Sequence, residues 1–545
     1  MERERSHWGW GWEDEALGER ELREAAAGLT AHLGFGSAEP EAPVPLAAVE
    51  LPAPRLPLPA AGRDGLWSAD LPARVRHTYG RAYRDLVRGF RGRFEHPPDL
   101  VARPRDEAEV EQVLEWAAGA GAAVIPFGGG TSVVGGVEPR VGDRWAGVVS
   151  LDLTALRRVL EVDDVSLAAR IEAGALGPDL EAQLAPHGLT LRHYPQSFQL
   201  STLGGWLATR AGGHFATLQT HIDDLVESIR AITPTGTWAS RRLPGSGAGP
   251  SPDRLLLGSE GTLGVITEAW VSVRRKPLHR AGRAVRFADF RAGAQAVRAL
   301  AQAGLHPENC RLIDAREAAL TFAGDGSAAL LVLGFESAHE PVDGRLASAL
   351  ALCREAGGSW EERAEGARGG AVGSWREAFL RAPYVRDVLV AAGVLSETFE
   401  TAITWERFDG FVARVREAVA ERVRERCGAG IVTCRVTHAY PDGAAPYFTV
   451  VAPAPRGEEV ACWDEIKRAA GEAILAAGGT ITHHHAVGRD HRPWYDRQRP
   501  DPFAAALAGA KAAVDPDGLL NPGVLLDPLP SGTAAGRTAP PSRAL

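Results

Sequence analysis

Three segments rich in glycine and hydroxyl side chains have the composition of an anion-binding site. PFGGGTS spans residues 126–132, a second segment spans 196–212, and a third, GSEGTLGVI, spans 258–266. Consecutive glycines let backbone N–H groups approach an anion closely, and serine and threonine hydroxyls add further donors. The spacing matches neither G-x-G-x-x-G nor G-x-x-x-x-G-K-[ST], which argues against a Rossmann fingerprint and a P-loop. The first segment therefore predicts a diphosphate cradle of another kind.

Three consecutive imidazoles, His483, His484 and His485, form a histidine triplet that could transfer protons. If the segment is extended, His483 and His485 share one face and His484 points to the other. A metal site would need at least one further ligand and a closed shell, and a polar surface run is the other interpretation. Because three neighbouring imidazoles pack poorly in an apolar core, we interpret the triplet as proton-handling groups of an active site. No metal ion is predicted.

Composition limits the class of protein. The chain has 545 residues, of which 45% are hydrophobic and 24% charged, as in an average folded globular protein. The formal net charge is −9 and no segment is strongly basic, so a nucleic-acid partner is not expected. The N-terminus lacks the apolar core of a secretory signal and no run of 18 apolar residues occurs, which favours a cytoplasmic location. The five cysteines lack C-x-x-C spacing, which argues against zinc, iron–sulfur and disulfide frameworks.

Strands and helices alternate in an order that predicts an α+β protein. A strand over Leu100–Arg103, a helix that begins with the capping box of Asp106 and Glu109, and a strand over Ala123–Phe127 form a βαβ unit. This unit ends at the first glycine segment. The predicted division is a partly helical N-terminal arm without evident chemistry (1–96), a first α+β domain (97–278), an α+β cap domain (279–495), a segment that packs back on the first domain (496–527) and a disordered tail (528–545).

At these separations the three glycine-rich segments resemble the FAD-binding domain of the vanillyl-alcohol oxidase and p-cresol methylhydroxylase family. The resemblance implies a two-lobed FAD-binding domain of the p-cresol methylhydroxylase type, joined to a cap domain that binds the substrate. No histidine or cysteine signals covalent attachment, so FAD is expected to be held non-covalently. The residues that the resemblance assigns to FAD are Pro126, Phe127, Gly128, Gly129, Gly130, Thr131, Ser132, Gln196, Ser197, Phe198, Gln199, Leu200, Ser201, Thr202, Thr209, Arg210, Ala211, Gly212, Glu260, Gly261, Thr262, Leu263, Gly264, Val265 and Ile266.

Further segments make the resemblance more specific. They are WGWGW (8–12), SFQLSTLGGWLATRA (197–211), IDDLV (222–226), NCRLID (309–314), APYVRD (382–387), ETFETAITW (397–405), CRVTHAY (434–440), PYF (446–448) and HHHAVG (483–488). With these segments in this order, the chain is similar nearly end to end to the alkyldihydroxyacetonephosphate (alkylglycerone-phosphate) synthases of ether-lipid synthesis. Those enzymes replace the acyl group of acyl-dihydroxyacetone phosphate with a fatty alcohol, without net redox change. The resemblance implies that a flavin N5 adduct holds the carbon skeleton during the exchange.

The reaction of that family calls for a positioned acid/base and for fixed positive charge. Tyr447 matches the position implied to remove a proton from the carbon beside the ketone. Arg386 matches the arginine implied to bind the substrate phosphate, and Arg311 the one implied to set the electrostatics of the active site. The histidine triplet is implied to support proton transfer or to stabilise the flavin adduct.

The resemblance also sets expectations for partners and location. Acyl-dihydroxyacetone phosphate and a long-chain alcohol are the expected substrates, a homodimer is expected, and peripheral membrane contact is expected because the alcohol comes from a bilayer. The stretch HFATLQTH at 214–221 is less basic than expected of the eukaryotic enzymes, and the chain end Ser-Arg-Ala-Leu shows no peroxisomal address. A cytoplasmic protein at the membrane surface is therefore expected.

Two alternatives remain open on the residues alone. A D-2-hydroxy acid dehydrogenase or oxidase, of the lactate or glycolate type, would use the same flavin domain, since function on such a scaffold resides in the cap. Bleaching of the flavin by 2-hydroxy acids would favour that function. A flavin-free binding protein that keeps the fold would instead be colourless.

Overall fold

The computed structural model describes residues 3–60, 65–361 and 383–528, so the predicted disordered tail lies outside the described residues apart from residue 528. Helices and strands are mixed along the chain, and the predicted α+β class is confirmed. No helix in the described ranges has the length and apolar character needed to cross a bilayer.

The N-terminal arm is partly helical. Its elements are α1 (Glu19–Leu33), β1 (Trp67–Ser68), α2 (Leu71–Arg76) and α3 (Tyr83–Phe90). Between α2 and α3 the chain passes against the first glycine segment, and a Cβ atom on Gly80 would lie 2.2 Å from the carbonyl oxygen of Ser132. Glycine is required there because the two backbones are in direct contact.

A four-stranded sheet carries the first glycine segment at its edge. Together with β1 it contains β2 (Leu100–Ala102), β3 (Ala122–Phe127) and β4 (Gly147–Asp152), in the order β1-β2-β4-β3. Helix α4 (Glu107–Ala120) joins β2 to β3, and the Asp106 carboxylate accepts the Glu109 N–H at 2.9 Å, which confirms the predicted N-cap. Since β3 ends at Phe127, its carboxyl end leads directly into the glycines.

A five-stranded antiparallel sheet forms the second lobe. Its strands are β5 (Val159–Asp163), β6 (Ala168–Glu172), β8 (Val226–Thr233), β9 (Gly236–Ala239) and β10 (Val265–Ser272), in the order β5-β6-β10-β8-β9. The lobe also holds the strand pair β7 (Leu189–Thr190) with β11 (Arg274–Arg275), and the helices α5 (Gly177–Leu184), α6 (Leu203–Thr209) and α7 (Pro252–Leu256). The second glycine-rich segment contains α6, and the third ends inside β10, so both are anchored to this lobe.

The cap is built on a seven-stranded antiparallel sheet. Its strands are β12 (His279–Phe287), β13 (Asn309–Ile313), β14 (Ala329–Ser337), β15 (Val394–Glu400), β16 (Ile403–Thr404), β17 (Ile431–Ala439) and β18 (Gly443–Pro453), in the order β12-β14-β13-β17-β18-β15 with β16 beside β18. Its helices are α8 (Phe290–Gln302), α9 (Ala315–Leu320), α10 (Asp343–Glu355), α11 (Phe408–Cys427) and α12 (Glu459–Ala476), with a helical segment at 383–391. Strands β17 and β18 are buried along most of their length, which explains their nearly continuous apolar sequence.

After the cap, the chain returns to the first two sheets through α13 (Arg492–Gln498) and α14 (Asp501–Val514). The Lys511 ammonium donates to the carbonyl oxygens of Thr262 and Leu520, each at 2.7 Å. The Asn521 N–H donates to the Val124 carbonyl at 2.9 Å. These bonds hold the third glycine-rich segment against β3. The domain limits expected from the sequence stay predictions.

Candidate active site

One cavity lies between the glycine-rich segments and the cap sheet. One side of it is formed by residues of the segments 126–132, 196–213 and 260–266. The other side is formed by side chains from β13, β17 and β18 and by part of the histidine triplet. The residues expected to hold a cofactor and those expected to act on a substrate therefore border the same space.

The first glycine segment presents a row of unpaired backbone donors. Within the described ranges, the N–H groups from Gly128 through Val133 donate no hydrogen bond to a protein group. Partly buried N–H groups require an acceptor, and successive N–H groups form a concave anion site. A diphosphate offers several anionic oxygens, so this donor set fits the diphosphate of a dinucleotide cofactor.

Close backbone contacts explain why glycine occupies these positions. A Cβ atom on Gly129 would lie 1.8 Å from the carbonyl oxygen of Leu200, so the first and second segments touch through their backbones. Gly261 in the third segment has φ +72°, and a side chain there would meet Pro126 at 2.9 Å. The three segments are thus packed against one another along one side of the cavity.

Most of the candidate cofactor residues border the cavity. Those that do so are Pro126, Phe127, Gly128, Gly129, Gly130, Thr131, Ser132, Gln196, Ser197, Ser201, Thr202, Thr209, Ala211, Gly212, Glu260, Gly261, Gly264 and Ile266. The structure places the others away from it; they are Phe198, Gln199, Leu200, Arg210, Thr262, Leu263 and Val265.

The candidates outside the cavity have other contacts in the fold. Leu200, Leu263 and Val265 are at most 2% exposed and pack in hydrophobic cores, and Phe198 stacks on Trp206. The Arg210 guanidinium pairs with Asp223 at 2.7 Å. The remaining two make hydrogen bonds: the Thr262 hydroxyl donates to the Ser259 carbonyl, and the Gln199 amide oxygen accepts the Tyr384 hydroxyl. The sequence identified the three loops, but it did not show which of their side chains face the cavity.

Three side chains on neighbouring cap strands face the cradle. Arg311 on β13, Arg435 on β17 and Tyr447 on β18 are 3%, 8% and 3% exposed. The Arg435 guanidinium lies 3.8 Å from the centroid of the Tyr447 ring and pairs with the carboxylate of Glu317. Burial, together with repulsion from Arg435, lowers the pKa of Arg311 to about 9. The cap wall therefore combines a phenol with concentrated positive charge.

Arg386 enters the same cavity from the helical segment at 383–391. Its guanidinium donates to the Thr398 hydroxyl at 2.8 Å. The next residue, Asp387, accepts the backbone N–H of Trp10 at 2.9 Å, and burial raises the pKa of Asp387 to about 7. The segment that carries Arg386 is thus tied to the N-terminal arm.

The N-terminal arm contributes to the site, although the sequence predicted no chemistry for it. Trp10 lines the cavity. The Arg5 guanidinium donates to the carbonyl oxygens of Gly129 at 2.7 Å and Leu200 at 2.9 Å, and so bridges the first and second glycine-rich segments. The arm therefore reinforces the cradle.

The histidine triplet lies on a loop, so the extended geometry considered for it is wrong. His484 and His485 line the cavity, whereas His483 lies behind His484 with their Nδ1 atoms 2.9 Å apart. The fully buried Glu400 carboxylate accepts the backbone N–H groups of all three histidines and the Thr482 hydroxyl. Burial opposes ionisation of Glu400, but the neighbouring imidazoles hold its pKa well below the usual range. A strand could not direct three successive N–H groups to one carboxylate.

A second carboxylate holds the other end of this loop. Glu260, in the third glycine-rich segment, accepts the N–H groups of Val487 at 3.0 Å and Gly488 at 2.9 Å. Burial raises the pKa of Glu260 to about 7. Glu400 thus ties the triplet to the cap, and Glu260 ties it to the cradle.

Sequence reasoning missed four residues of the site: Trp10, Glu400, Arg435 and His438. His438 lines the cavity because β17 carries a bulge between Val436 and His438, which changes the alternation of side chains along the strand. The available signal was a charged or imidazole side chain within an apolar run, as in CRVTHAY and ETFETAITW. Trp10 comes to the site from the far end of the chain, and its signal was the segment WGWGW (8–12) of the family resemblance.

Two groups of potential metal ligands occur among the described residues. One contains His438, His483 and His484, the other contains Glu400, His484 and His485, and within each group the ligand atoms lie within 4.8 Å of one another. The Glu400 oxygens already accept backbone N–H groups, and the facing Nδ1 atoms of His483 and His484 share a hydrogen bond. That no metal ion is bound stays a prediction.

Comparison with known proteins agrees with this geometry. Residues 98–240 match the family described as FAD binding domain, and residues 276–525 match the C-terminal domain of FAD linked oxidases. The alkyldihydroxyacetonephosphate synthase of Dictyostelium discoideum is 30% identical over 481 residues, which cover 83% of this chain and 77% of the relative. The chain belongs to the alkyldihydroxyacetonephosphate synthase family. Its cofactor is FAD, and the unpaired N–H groups of the first glycine segment fit the FAD diphosphate.

Solved structures extend the comparison to the fold. A structure of an alkyldihydroxyacetonephosphate synthase superposes with a TM-score of 0.80 at 26% identity, covering 95% of this chain and 98% of that chain. A structure of p-cresol methylhydroxylase with substrate bound superposes with a TM-score of 0.66 at 13% identity, covering 94% and 98% of the two chains. The expected p-cresol methylhydroxylase type of FAD-binding domain, with an α+β cap, is confirmed for this synthase family member.

Proposed function

We propose that this protein exchanges the acyl group of an acyl-dihydroxyacetone phosphate for a long-chain alcohol, without net redox change. One observation carries the proposal: Tyr447, Arg311, Arg386 and His484 all border the cavity that the FAD cradle forms. This combination offers an acid/base, phosphate-binding charge and an imidazole at one place. A positioned acid/base accelerates removal of the proton from the carbon beside a ketone.

Tyr447 is the group that moves the proton at the reacting carbon. Its position on β18, directly opposite Arg435 on β17, fixes the direction of the ring. The Arg435 guanidinium lies against the ring face, where positive charge stabilises electron density on the phenol. The Tyr447 hydroxyl makes no hydrogen bond within the described ranges, which leaves it available to the substrate.

Arg386 binds the phosphate of the substrate. A planar guanidinium donates two parallel hydrogen bonds to a phosphate, which a lysine ammonium cannot do. One Arg386 nitrogen is positioned by Thr398, so the side chain is directed before the substrate arrives. Arg311, buried on β13, contributes positive charge to the same cavity.

FAD is held non-covalently by the cradle. When bound, it supplies the chemistry that allows the carboxylate to leave and the alcohol to enter without net redox change. The chain's own part is to bind the diphosphate through the N–H groups of Gly128 to Val133 and to keep the three segments together through Arg5 and Lys511. Denaturation should release all FAD into the supernatant, and flavin left on the polypeptide would contradict non-covalent binding.

The function is tested with the purified, FAD-loaded protein under anaerobic conditions. Acyl-dihydroxyacetone phosphate and a radiolabelled long-chain alcohol should give a labelled alkyl ether and an equal amount of free fatty acid, with the flavin spectrum oxidised at the end. Tyr447→Phe is the matched negative control. Absence of label transfer, combined with flavin bleaching by D-lactate or glycolate, would establish the D-2-hydroxy acid dehydrogenase alternative instead.

The proposal includes a homodimer, a cytoplasmic location and contact with the membrane surface. A long-chain alcohol partitions into a bilayer, so an enzyme that uses it must approach the lipid. Light scattering of the FAD-loaded protein should give twice the chain mass of 57.9 kDa. Sedimentation with phosphatidylcholine vesicles should increase when a long-chain alcohol is included, and equal sedimentation would contradict membrane delivery.

A further inference from the structure

A continuous row of hydrogen bonds leads from the cavity toward the outside of the protein. His484 Nδ1 lies 2.9 Å from His483 Nδ1, and His483 Nε2 lies 2.7 Å from the Tyr440 hydroxyl. The Tyr440 hydroxyl lies 3.0 Å from the Thr220 hydroxyl, which lies 3.1 Å from His221 Nδ1. His484 lines the cavity, Thr220 is buried, and Tyr440 and His221 are partly exposed. The row therefore connects the reaction space with the surface.

When His221 and His483 are neutral, one backbone carbonyl sets the direction of every bond in this row. His221 Nε2 lies 3.0 Å from the carbonyl oxygen of His483, which can only accept, so His221 carries its proton on Nε2. A neutral His221 then accepts at Nδ1 from Thr220. Because Thr220 donates to His221, it accepts from Tyr440.

The same reasoning continues to the cavity. Since Tyr440 donates to Thr220, it accepts the proton of His483 Nε2, and a neutral His483 accepts at Nδ1 from His484. His484 then carries its proton on Nδ1 and presents an unprotonated Nε2, which makes no hydrogen bond within the described ranges. Burial lowers the pKa values of His483 and His484, which keeps both imidazoles neutral. The inner end of the row is thus a base that borders the cavity.

The proposed reaction requires a proton to leave the site. The alcohol gives up its hydroxyl proton when its oxygen bonds to the glycerone carbon, and the displaced acyl group departs as a carboxylate. A carboxylic acid has a pKa of about 4 to 5, so it does not remove that proton near neutral pH. The exchange therefore releases one proton per turnover.

We propose that His484, His483, Tyr440, Thr220 and His221 form a relay that exports this proton to solvent. His484 Nε2 receives the proton, and each member passes its own proton to the next: His484 Nδ1 to His483 Nδ1, His483 Nε2 to Tyr440, Tyr440 to Thr220, and Thr220 to His221 Nδ1. His221, then protonated on both ring nitrogens, releases its Nε2 proton to water, and the members return to their starting tautomers before the next turnover. The relay rests on the proposed function for its purpose, but its hydrogen-bond direction does not.

The direction of the relay is tested without substrate. NMR of protein labelled with ¹⁵N in histidine should show His484 as the Nδ1–H tautomer and His221 and His483 as Nε2–H tautomers. His484→Asn, His483→Asn and His221→Asn variants assign the signals. An Nε2–H tautomer at His484 would overturn the relay whatever the protein catalyses.

The transport step is tested with Tyr440→Phe and Thr220→Val, which keep the side-chain shapes and remove the hydroxyls. Each should lower the exchange rate about tenfold and raise the solvent deuterium isotope effect, while FAD content and KM stay at the wild-type values. The double variant should be no slower than either single variant, since the members act in series. Tyr79→Phe is the control, because it also removes a buried hydroxyl with two hydrogen bonds but lies outside the cavity.

The outcomes distinguish a failure of the relay from a failure of the proposed function. If Tyr440→Phe exchanges at the wild-type rate, or if the double variant shows the product of the two single losses, the relay is wrong although the function stands. If the wild-type protein transfers no labelled alcohol, the proposed function is wrong, and the NMR experiment still decides the hydrogen-bond direction. Imidazole added to His221→Ala should restore the rate, which a purely structural loss would not allow.

Discussion

The two sides of the cavity are built from different chemical groups. The cradle consists of backbone N–H groups and glycines, held in three segments that touch one another through their main chains. The cap wall consists of the buried side chains of Arg311, Arg435 and Tyr447 on strands and of the half-buried His484 on a loop. We propose a division of labour in which the cradle binds FAD and the cap wall performs the chemistry. Variants on the two sides should therefore lose different properties.

The largest effect is expected for Tyr447→Phe, which keeps the ring and removes the hydroxyl. Turnover should fall about a thousandfold because the acid/base is lost, whereas FAD content stays at the wild-type ratio. Product formation and the flavin absorbance per protein are measured together. Tyr495→Phe, outside the cavity, serves as the control. Loss of FAD in Tyr447→Phe would contradict the division between the two sides.

Gly129→Ala should damage the cradle selectively. The added Cβ atom would meet the Leu200 carbonyl oxygen at 1.8 Å, so the first and second segments must separate. We expect FAD affinity to fall about a hundredfold, since overpacking of this kind costs about 3 kcal/mol. Turnover per bound FAD should be unchanged in a fluorescence-monitored reconstitution. Gly119→Ala, in open space on α4, should bind FAD like the wild type.

Glu400→Gln should disorder the histidine triplet while the cradle stays intact. The amide can replace only one of the two carboxylate oxygens as acceptor, so some of the three backbone N–H groups lose their partner. Turnover should drop about thirtyfold, which corresponds to about 2 kcal/mol. FAD content should match that of the exposed control Glu111→Gln. A wild-type rate would remove Glu400 from the group of positioning residues.

Arg386→Lys should weaken substrate binding more than it slows the chemistry. The charge remains, but the planar pair of donors and the bond to Thr398 are lost. We expect KM for the phosphate-bearing substrate to rise about tenfold, with kcat changed less. Steady-state kinetics at saturating alcohol measures both. An unchanged KM would exclude Arg386 from phosphate binding.

The smallest effect is expected for Arg5→Gln, which tests a long side chain of the arm that supports the cradle. Loss of the charge-assisted bonds to Gly129 and Leu200 should cost about 1 kcal/mol, or about fivefold in FAD affinity. Turnover per bound FAD should not change. If turnover per bound FAD falls instead, the arm also acts on the chemistry, and the division between the two sides of the cavity is wrong.

The sequence predicts the cradle better than the cap wall, and the reason is physical. The glycines of 126–132 indicate a close backbone approach because glycine has no side chain. A local signal, the N-cap at Asp106, predicts where the neighbouring helix begins. The cap wall depends on side chains that converge from distant strands. In the sequence, Glu400 and Arg435 are charged residues within apolar runs. The folded sheet places them beside the triplet.

Tertiary contacts also decided the details that local patterns left open. Extended backbone was a reasonable geometry for the triplet, but Glu400 draws three successive N–H groups to one point and bends the chain into a loop. Arg210 belongs to a flavin motif by sequence, yet Asp223 holds it away from the cavity. Trp10 reaches the site because Asp387 binds its backbone, and no periodicity near residue 10 reports that contact.

A crystal structure of the FAD-loaded protein tests the division of labour most directly. It should place the diphosphate oxygens about 3 Å from the N–H groups of Gly128 to Val133, with the isoalloxazine ring between the cradle and Tyr447. A diphosphate bound elsewhere, or a ring that does not reach Tyr447 and His484, would contradict this division of labour.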